Sequence, residues 1–397
     1  PFEFEWLLGP DESFDTPESV LTFSAEGLGG MSRNMHLFVK EHIVRGYWKN
    51  KERPILVNNW EATYFNFDEK KILEIAKATK EIGGEMFVLD DGWFGKRNND
   101  KCSLGDWYIN KKKLPSGIDG LSKKINEMGL KFGLWVEPEM VSPDSDLFRA
   151  HPDWAIKTDV YEPSQGRNQL VLDLTNPEVV DYIINTMTDV FRYGNIEYIK
   201  WDNNRHITDV FSHRKGARSG EFFHRYMLGL YEVWSALTEK FPEILFEACS
   251  SGGNRFDLGT FCYMPQCWTS DNTDALERIY IQSGTSYGYP QSVMTMHVAC
   301  SPSFACLRQS TIEHRFNVAA FGLLGYELDV TNLSRFDKAA VKKQIEYYKE
   351  HRYLLQFGEF FRIGDFFKDN IAKWEITSPD KTESILGYFI NRVTPNW

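Results

Sequence analysis

Short apolar runs alternate with helix-like segments along most of this 397-residue chain, and this alternation constrains the fold more than any other feature. Each run ends in polar or aromatic residues. The eight strand-like runs lie at 53–60, 86–89, 132–136, 197–199, 244–247, 267–269, 292–296 and 322–328. Alternating strands and helices predict a parallel α/β sheet, and eight such strands predict a (β/α)8 TIM barrel.

An open doubly wound sheet is the alternative fold for the same pattern. It would normally carry a glycine-rich, phosphate-binding loop after its first strand. The first run instead leads into Trp60-Glu61-Ala62, so this fold is disfavoured. Polar residues after the runs also suit a barrel, which builds its active site at the carboxyl ends of its strands.

The helix-like segments and the two ends of the chain complete the predicted architecture. After Gly358 apolar and polar residues alternate, which is typical of antiparallel strands. We therefore expect a short lead-in at 1–50, the barrel at 51–355 and the start of a C-terminal antiparallel β domain at 356–397. Helices are predicted at 34–45, 68–82, 119–128, 176–194, 220–240 and 335–352.

Composition excludes several classes of protein. The net charge of -11 disfavours nucleic-acid binding, which needs a basic face. No apolar run approaches the roughly 18 residues of a membrane span. The six cysteines contain no CxxC pair and the nine histidines no HExxH motif, so we expect reduced thiols, no metal and no cofactor. No signal peptide is evident, and a cytoplasmic location is expected.

Two acidic residues at separate strand ends carry the main functional signal. Asp202 follows a strand-like run within Lys200-Trp201-Asp202-Asn203-Asn204-Arg205. Asp271 follows another run 69 residues later. Two carboxylates that meet at the carboxyl ends of parallel strands are what the cleavage of a glycosidic bond requires.

Seven longer motifs extend this signal over about residues 20–390. They are LDDGWFGKR, GLWVEPEM, GRNQLVLDLTNP, KWDNNR, CSSGGNRFD, WTSDNTDALER and GYELD. In this order and spacing they resemble the bacterial α-galactosidases of glycoside hydrolase family 36. The resemblance implies a (β/α)8 barrel that hydrolyses terminal α-galactosides, such as melibiose and raffinose, with retention through a galactosyl-enzyme.

The resemblance also carries implications for the rest of the protein. The family has a large N-terminal β-sandwich domain, of which residues 1–50 would be the tail and a linker helix. Because many apolar residues lie near the start of this chain, we expect further protein to cover them. The expected partner is an oligosaccharide substrate, without nucleic acid or membrane, and the full-length protein is expected to be a homo-oligomer.

The catalytic roles follow from the resemblance and agree with simple electrostatics. Asp202 lies where the family has its nucleophile, and Lys200 and Arg205 are expected to keep it ionised. Asp271 lies where the family has its acid/base residue. Trp268 is expected to raise the pKa of Asp271 by desolvation.

Asp274 is the competitor for the acid/base role, three residues beyond Asp271. Asp271 is preferred because it lies closer to the strand end. The alternative role of Asp274 is that of a helix N-cap or an acid in the first helical turn.

The resemblance assigns the substrate contacts as well. Asp90 and Asp91 would bind the 4- and 6-hydroxyls of galactose, although paired acids also occur in metal sites and in solvated turns. The predicted substrate-binding residues are Trp60, Asp90, Asp91, Trp135, Arg167, Lys200, Asn204, Cys249 and Gly252. The two tryptophans would offer apolar faces, Arg167 and Lys200 would donate to hydroxyls, and Cys249 and Gly252 would bound the space at the 2-position.

The chain departs from the family in one loop. The usual pattern CSGGGGRFD reads CSSGGNRFD here, with Ser251 and Asn254 in place of glycines. The departure leaves open how strictly the 2-substituent is recognised. His297 follows the seventh run closely, and either a site role or a place in the core is expected for it.

Three other functions share the pattern. A galactosyltransferase of the raffinose-synthase type would have the same catalytic residues and differ in its acceptor loops. An α-N-acetylgalactosaminidase would use the same barrel. A non-catalytic sugar-binding protein would have lost Asp202 or Asp271, and both are present.

Overall fold

The computed structural model describes residues 4–214 and 216–391, and the strands and helices below lie within them. The strands are β1 (Leu56–Asn58), β2 (Met86–Leu89), β3 (Lys131–Val136), β4 (Met140–Val141), β5 (Leu170–Val171), β6 (Tyr198–Trp201), β7 (Leu245–Ala248), β8 (Gln266–Trp268), β9 (Met294–Ala299), β10 (Leu323–Glu327), β11 (Glu359–Ile363), β12 (Ile371–Thr377) and β13 (Ser384–Ile390).

The α-helices alternate with the barrel strands. They are α1 (Gly27–Phe38), α2 (Trp60–Thr63), α3 (Glu69–Ile82), α4 (Gly117–Glu127), α5 (Asp146–Ala150), α6 (Pro177–Val190), α7 (Phe222–Lys240), α8 (Leu258–Phe261), α9 (Ala275–Thr285), α10 (Ile312–Ala319) and α11 (Arg335–Phe357). None of these described helices is both long enough and apolar enough to cross a bilayer.

Eight parallel strands close into a barrel in the order β1-β10-β9-β8-β7-β6-β3-β2. Most of their residues are buried, because helices cover the outside and side chains fill the inside. Strands β11, β12 and β13 form a separate antiparallel sheet. The predicted TIM barrel and the antiparallel region after Gly358 are therefore confirmed.

Local sequence signals set the ends of the helices. The side chain of Asp68 accepts a hydrogen bond from the backbone N–H of Lys71 at 2.9 Å and caps α3. Gly83, with φ +95°, ends that helix in the left-handed region. These caps fix both ends of α3, which packs against β2 on the outside of the barrel.

Several predicted boundaries were wrong, and α11, for example, runs to Phe357 and not to 352. The lead-in helix begins at Gly27 and not at 34, because Gly27, Gly29 and Gly30 are poor helix formers and gave no helical signal in the sequence. Helix α6 ends at Val190 and not at Gly194. Strand β9 spans Met294–Ala299 and not 292–296, because a 3-10 turn occupies the residues before it.

A close contact between α7 and the loop before α6 gives a stability prediction. A Cβ on buried Gly229 would lie 2.0 Å from the carbonyl oxygen of Leu174. We expect Gly229→Ala to destabilise the protein by about 3 kcal/mol, since overpacked backbone cannot easily move. Chemical denaturation measures this loss.

Gly284 in α9 provides the matched control, because a Cβ there meets nothing within 4 Å. Gly284→Ala should stabilise the protein by about 0.5 kcal/mol through its effect on the unfolded chain. Equal changes in the free energy of unfolding for the two substitutions would show that the close contact between Gly229 and Leu174 does not limit stability.

Candidate active site

A cavity of about 330 Å³ opens at the carboxyl ends of the barrel strands, within the size range of small-molecule sites. Nine of the predicted site residues line it: Trp60, Asp90, Asp91, Trp135, Arg167, Lys200, Asp202, Asn204 and Asp271. The other lining residues are Glu61, Tyr64, Trp268, Thr273, Phe304 and Glu327. The carboxyl ends of the barrel strands thus bring together residues that lie far apart in the sequence.

Asp202 follows β6 and is held as an ionised carboxylate. Burial alone would raise its pKa, but the charge of Lys200 and several hydrogen bonds outweigh burial and lower the pKa below its ordinary value. Its Oδ2 accepts from Trp135 Nε1 at 3.1 Å and from Asn204 Nδ2 at 2.7 Å, and its Oδ1 accepts from the backbone N–H of Asn203 at 2.8 Å.

Arg205 does not take part in this stabilisation. Its guanidinium donates to the carbonyl of His206 at 3.2 Å and to the hydroxyl of Thr208 at 2.9 Å. These bonds turn it into the neighbouring loop. The expectation that Arg205 helps to keep Asp202 ionised was therefore wrong, and proximity in sequence was a poor guide because the chain leaves the strand at this point.

Asp271 follows β8 and behaves in the opposite way. The residue is partly open to solvent, and it lines the cavity beside Trp268 and Asp202. Desolvation first, and then the negative charge of Asp202, raise the pKa of Asp271 to about 6. Trp268 Nε1 donates to Asp271 Oδ1 at 3.1 Å, which lowers the pKa. The hydrogen bond of Trp268 thus opposes the predicted effect of its ring.

The pKa values of these two carboxyl groups, which share one cavity, are therefore shifted in opposite directions. One is ionised over most of the pH range, and the other holds a proton at mildly acidic pH. A pair separated in this way can divide the roles of nucleophile and general acid.

Asp90 anchors the floor of the cavity. Its Oδ2 accepts from Asn58 Nδ2 at 2.7 Å and from Lys200 Nζ at 3.0 Å, and its Oδ1 accepts from the backbone N–H of Asp91 at 2.9 Å. Burial opposes the charge of Lys200, but Asp90 and Glu327 outweigh it and raise the pKa of this lysine well above its ordinary value. The buried lysine therefore stays charged between Asp90 and Asp202.

Asp91 is paired more completely than the sequence suggested. Arg97 donates to its Oδ1 at 2.9 Å and to its Oδ2 at 2.8 Å, and both side chains are buried. A two-pronged ion pair fixes the carboxylate rigidly. The oxygens of Asp91 keep further acceptor positions toward the cavity, because a carboxylate has about four lone-pair sites.

The remaining side chains form the walls. The ring of Trp60 packs edge-on against Tyr64 and Phe65, at centroid distances of 5.2 Å for each. Arg167 enters from a tight turn before β5, where it and Asn168 have φ of 52° and 59°. Consecutive left-handed residues are typical of a type I′ turn, and this one carries the arginine to the cavity.

Cys249 and Gly252 do not line the cavity but lie behind its catalytic residues. The thiol of Cys249 neighbours Asp202 and helps to lower its pKa. Gly252 has φ +86°, and a Cβ there would lie 2.7 Å from the backbone nitrogen of Asp271. A glycine is required for the loop to pass directly behind the acid.

Asp274 is the N-cap of a helix, which was the alternative to its role as the acid/base residue. Its Oδ1 accepts from the backbone N–H groups of Leu276 and Glu277, each at 3.1 Å, and so caps α9. It also pairs with Arg308. Asp274 is therefore buried at a helix start and does not line the cavity.

A second acidic pair in the cavity wall was missed. Glu61 accepts from the Thr273 hydroxyl at 2.9 Å and from the backbone N–H of Cys300 at 3.0 Å. Burial and the charge of Glu327 raise the pKa of Glu61 to about 7. Hydrogen bonding from His297 Nδ1 at 2.9 Å helps to keep Glu327 ionised, with a lowered pKa.

Some of these residues carried a sequence signal. Glu327 is the last residue of β10, so the strand-end rule would have found it. Glu61 directly follows the predicted Trp60. His297 lies inside β9 and not at its end, and it contacts the site through Glu327 and through the ring of Trp268, at a centroid distance of 4.4 Å. Phe304 lies in an irregular loop that gave no signal.

Metal chemistry has no candidate centre among residues 4–214 and 216–391, where no three acidic, histidine or cysteine side chains are grouped for an ion. Positive charge in the cavity comes from Lys200 and Arg167. The acidic pair Asp90 and Asp91 is instead satisfied by Lys200 and Arg97.

A (β/α)8 barrel whose strand ends present one ionised and one protonatable carboxyl group to a polar cavity is the arrangement of a glycosidase. This chain belongs to the melibiase family, whose model matches residues 13–358. The predicted resemblance to glycoside hydrolase family 36 is confirmed by the relatives below.

The similar proteins are α-galactosidases. The chain is 52% identical to α-galactosidase AgaA of Geobacillus stearothermophilus over 390 residues, which covers 98% of this chain and 54% of the relative. It is 48% identical to α-galactosidase 1 of Pediococcus pentosaceus, with 98% and 53% covered. The chain thus spans about half the length of the curated relatives it matches.

Solved structures show the same fold. The crystal structure of the GH36 α-galactosidase AgaA superposes with a TM-score of 0.98 at 51% identity and covers 100% of this chain and 55% of that one. A variant of the same enzyme has been crystallised in complex with raffinose. The galactosidase domain of an α-galactosidase–sucrose kinase superposes with a TM-score of 0.91 at 41% identity and covers 94% of this chain and 51% of that one.

Proposed function

We propose that this chain is the catalytic barrel of a retaining α-galactosidase. The observation that carries the proposal is the pair of carboxyl groups with opposite pKa shifts, Asp202 and Asp271, in one cavity at the strand ends. Family membership supports the substrate class, because the similar proteins are α-galactosidases.

The proposed reaction has two steps, and each step inverts the configuration at the anomeric carbon. Asp202 attacks the anomeric carbon of an α-galactoside from the β face, while Asp271 protonates the departing oxygen. A β-galactosyl-enzyme results. Asp271, now a base, takes a proton from a water molecule that attacks from the α face, and Asp202 is released. Retention is the net outcome.

The remaining side chains have proposed roles in binding galactose. Asp90 and Asp91 accept from the 4- and 6-hydroxyls, and Arg167 and Lys200 donate to ring substituents. Trp60 offers an apolar ring face. Trp135 and Asn204 hold Asp202 while they line the same cavity. Cys249 and Gly252 support the wall from behind.

The substrates we propose are short oligosaccharides with a terminal α-galactosyl unit, such as melibiose and raffinose. The complex of AgaA with raffinose supports this choice. We also propose a homo-oligomeric full-length protein in the cytoplasm, in keeping with six unpaired cysteines. The division into 1–50, 51–355 and 356–397 stays a prediction.

Hydrolysis of three chromogenic substrates tests the function. We expect release of nitrophenol from the α-galactoside, and far less from the α-N-acetylgalactosaminide and the β-galactoside. Incubation of melibiose with excess sucrose separates hydrolysis from transfer, since a transferase would form raffinose in preference to free galactose. Dominant transfer, or preference for the 2-acetamido sugar, would overturn the proposal in favour of that alternative.

The pH dependence of kcat/KM on melibiose should be bell-shaped with a mildly acidic optimum. The acid limb reflects Asp202, which must be ionised and whose pKa is lowered. The alkaline limb reflects Asp271, which must be protonated and whose pKa is about 6. Activity should therefore decline as the pH rises through this value.

Melibiose is the suitable substrate because its sugar leaving group needs a proton. Asp271→Asn supplies the control, as it removes the group that defines the alkaline limb. Full activity maintained above pH about 8 would contradict the assignment of Asp271, since that group would then be ionised.

A further inference from the structure

The loop after β7 contains a strained residue that the proposed mechanism does not use. Ser251 has φ +48°, a left-handed conformation that L-amino acids other than glycine rarely adopt. The family pattern quoted above has glycine at this position. A side chain held in a disfavoured backbone conformation suggests that the side chain itself makes a useful contact.

The contact of Ser251 leads directly to Asp202. Its hydroxyl Oγ lies 3.1 Å from Asn204 Oδ1. An amide oxygen can only accept a hydrogen bond, so the serine hydroxyl donates. The other end of the same amide, Asn204 Nδ2, donates to Asp202 Oδ2 at 2.7 Å. A chain of two hydrogen bonds therefore runs from the serine through the amide to the carboxylate.

The backbone of Asn204 is fixed separately. Its N–H donates to Glu137 Oε1 at 2.6 Å, and Gln169 Nε2 donates to the same oxygen at 3.1 Å. These bonds place the backbone of Asn204 but do not hold its amide oxygen. Ser251 is the described contact that holds the amide oxygen, and a hydrogen bond at one end of an amide strengthens the donor at the other end.

We propose that Ser251 is a positioning residue for the nucleophile: its hydroxyl holds the Asn204 amide so that the amide nitrogen donates to Asp202. The inference rests on the proposed function, in which Asp202 attacks the sugar. Asp202 must keep one oxygen aimed at the anomeric carbon, and Asn204 restrains the other oxygen. Ser251 thus acts on the reaction through Asn204 and does not touch the cavity.

Other groups also face Asp202, and they are common to every variant below. Lys200 lies on β6, Glu137 follows β3, Cys249 follows β7 and Asp271 follows β8, and each interacts electrostatically with the carboxylate. Cys267 on β8 adds a weaker interaction. None of them is hydrogen-bonded to Ser251, so a change specific to this serine isolates the contribution of the amide.

Two substitutions separate the hydroxyl from the strained backbone. Ser251→Ala removes the hydroxyl and keeps the strain, whereas Ser251→Gly removes the hydroxyl and relieves the strain. Both variants should shift the acid limb of kcat/KM upward by about 0.5 pH unit, because a weaker hydrogen bond from Asn204 stabilises the ionised form less. Thermal unfolding should nevertheless rank Ser251→Gly above Ser251→Ala.

Asn254→Gly is the matched control in the same loop. Its side chain donates to the carbonyl of Ser250 at 2.7 Å and does not contact Asn204. This variant should keep the wild-type acid limb. An Asn204→Ala background provides the second control, since Ser251→Ala should cause no additional shift once the amide is absent.

The results separate this inference from the proposed function. If Ser251→Gly shifts the acid limb and Ser251→Ala does not, the change in the backbone is responsible and the proposal is overturned. The proposal is also overturned if the acid limbs of both Ser251 variants stay at the wild-type position while the enzyme is active. If the wild type lacks α-galactosidase activity, the proposed function fails, and titration of the Asp202 carboxyl carbon by ¹³C NMR tests the contact without turnover.

Discussion

Asp202→Ala is expected to reduce hydrolysis of α-galactosides by about 10⁴-fold or more, because no other carboxylate can form the covalent intermediate. The buried carboxylate accepts three hydrogen bonds, from Trp135, Asn204 and the backbone of Asn203. Its replacement by a methyl group leaves a space beside these donors. Steady-state hydrolysis of melibiose and of a nitrophenyl α-galactoside measures the loss.

Azide should restore part of the activity on the nitrophenyl substrate. The small anion can enter the space left by the carboxylate and attack the anomeric carbon from the same β face. The product is then β-galactosyl azide, formed with inversion as nitrophenolate leaves. Formation of the α anomer would show that attack occurs from the other face and that Asp202 is not the nucleophile.

Asp68→Ala is the matched control for loss of an aspartate. Asp68 caps α3 and does not line the cavity. Its replacement should cost about 1 kcal/mol of stability and leave kcat unchanged. Comparable losses of kcat in both variants would indicate that Asp202→Ala acts by unfolding the barrel and not by removing a nucleophile.

The sequence was sufficient for the barrel because its signals are local and repeated. Each run of β-forming residues is followed by polar residues and a helix, and parallel strands can close only with their carboxyl ends on one side. This rule placed Asp202 and Asp271 at the same end of the barrel, and the family resemblance added Asp90 to the site. The start of α1 was not predicted, because the glycines in its first turn have low helix propensity and gave no helical pattern.

The pairing of side chains was less predictable for the same reason. Asp91 meets Arg97 only because the loop after β2 folds back on itself, and Arg205 turns away from Asp202 although it is three residues distant. Glu61 approaches Glu327 because β1 and β10 are neighbours in the closed barrel. Contacts of this kind depend on closure of the barrel, which a short stretch of sequence does not reveal.

Asp271→Ala is expected to separate the two steps of the reaction. Loss of the general acid should slow hydrolysis of melibiose by about 10³-fold, because its leaving group needs a proton. A nitrophenyl α-galactoside needs little assistance, so galactosyl-enzyme should form quickly and accumulate. A burst of nitrophenolate and a mass increase of one galactosyl unit on Asp202 measure this accumulation.

Azide and Asp274→Ala complete the assignment. In Asp271→Ala, azide should attack the galactosyl-enzyme from the α face and give α-galactosyl azide, the anomer opposite to that from Asp202→Ala. Asp274→Ala should lose about 1 kcal/mol of stability with its cap on α9, and should show neither a burst nor azide rescue. If Asp274→Ala shows the burst and Asp271→Ala does not, the acid/base residue is Asp274, and the raised pKa of Asp271 has another cause.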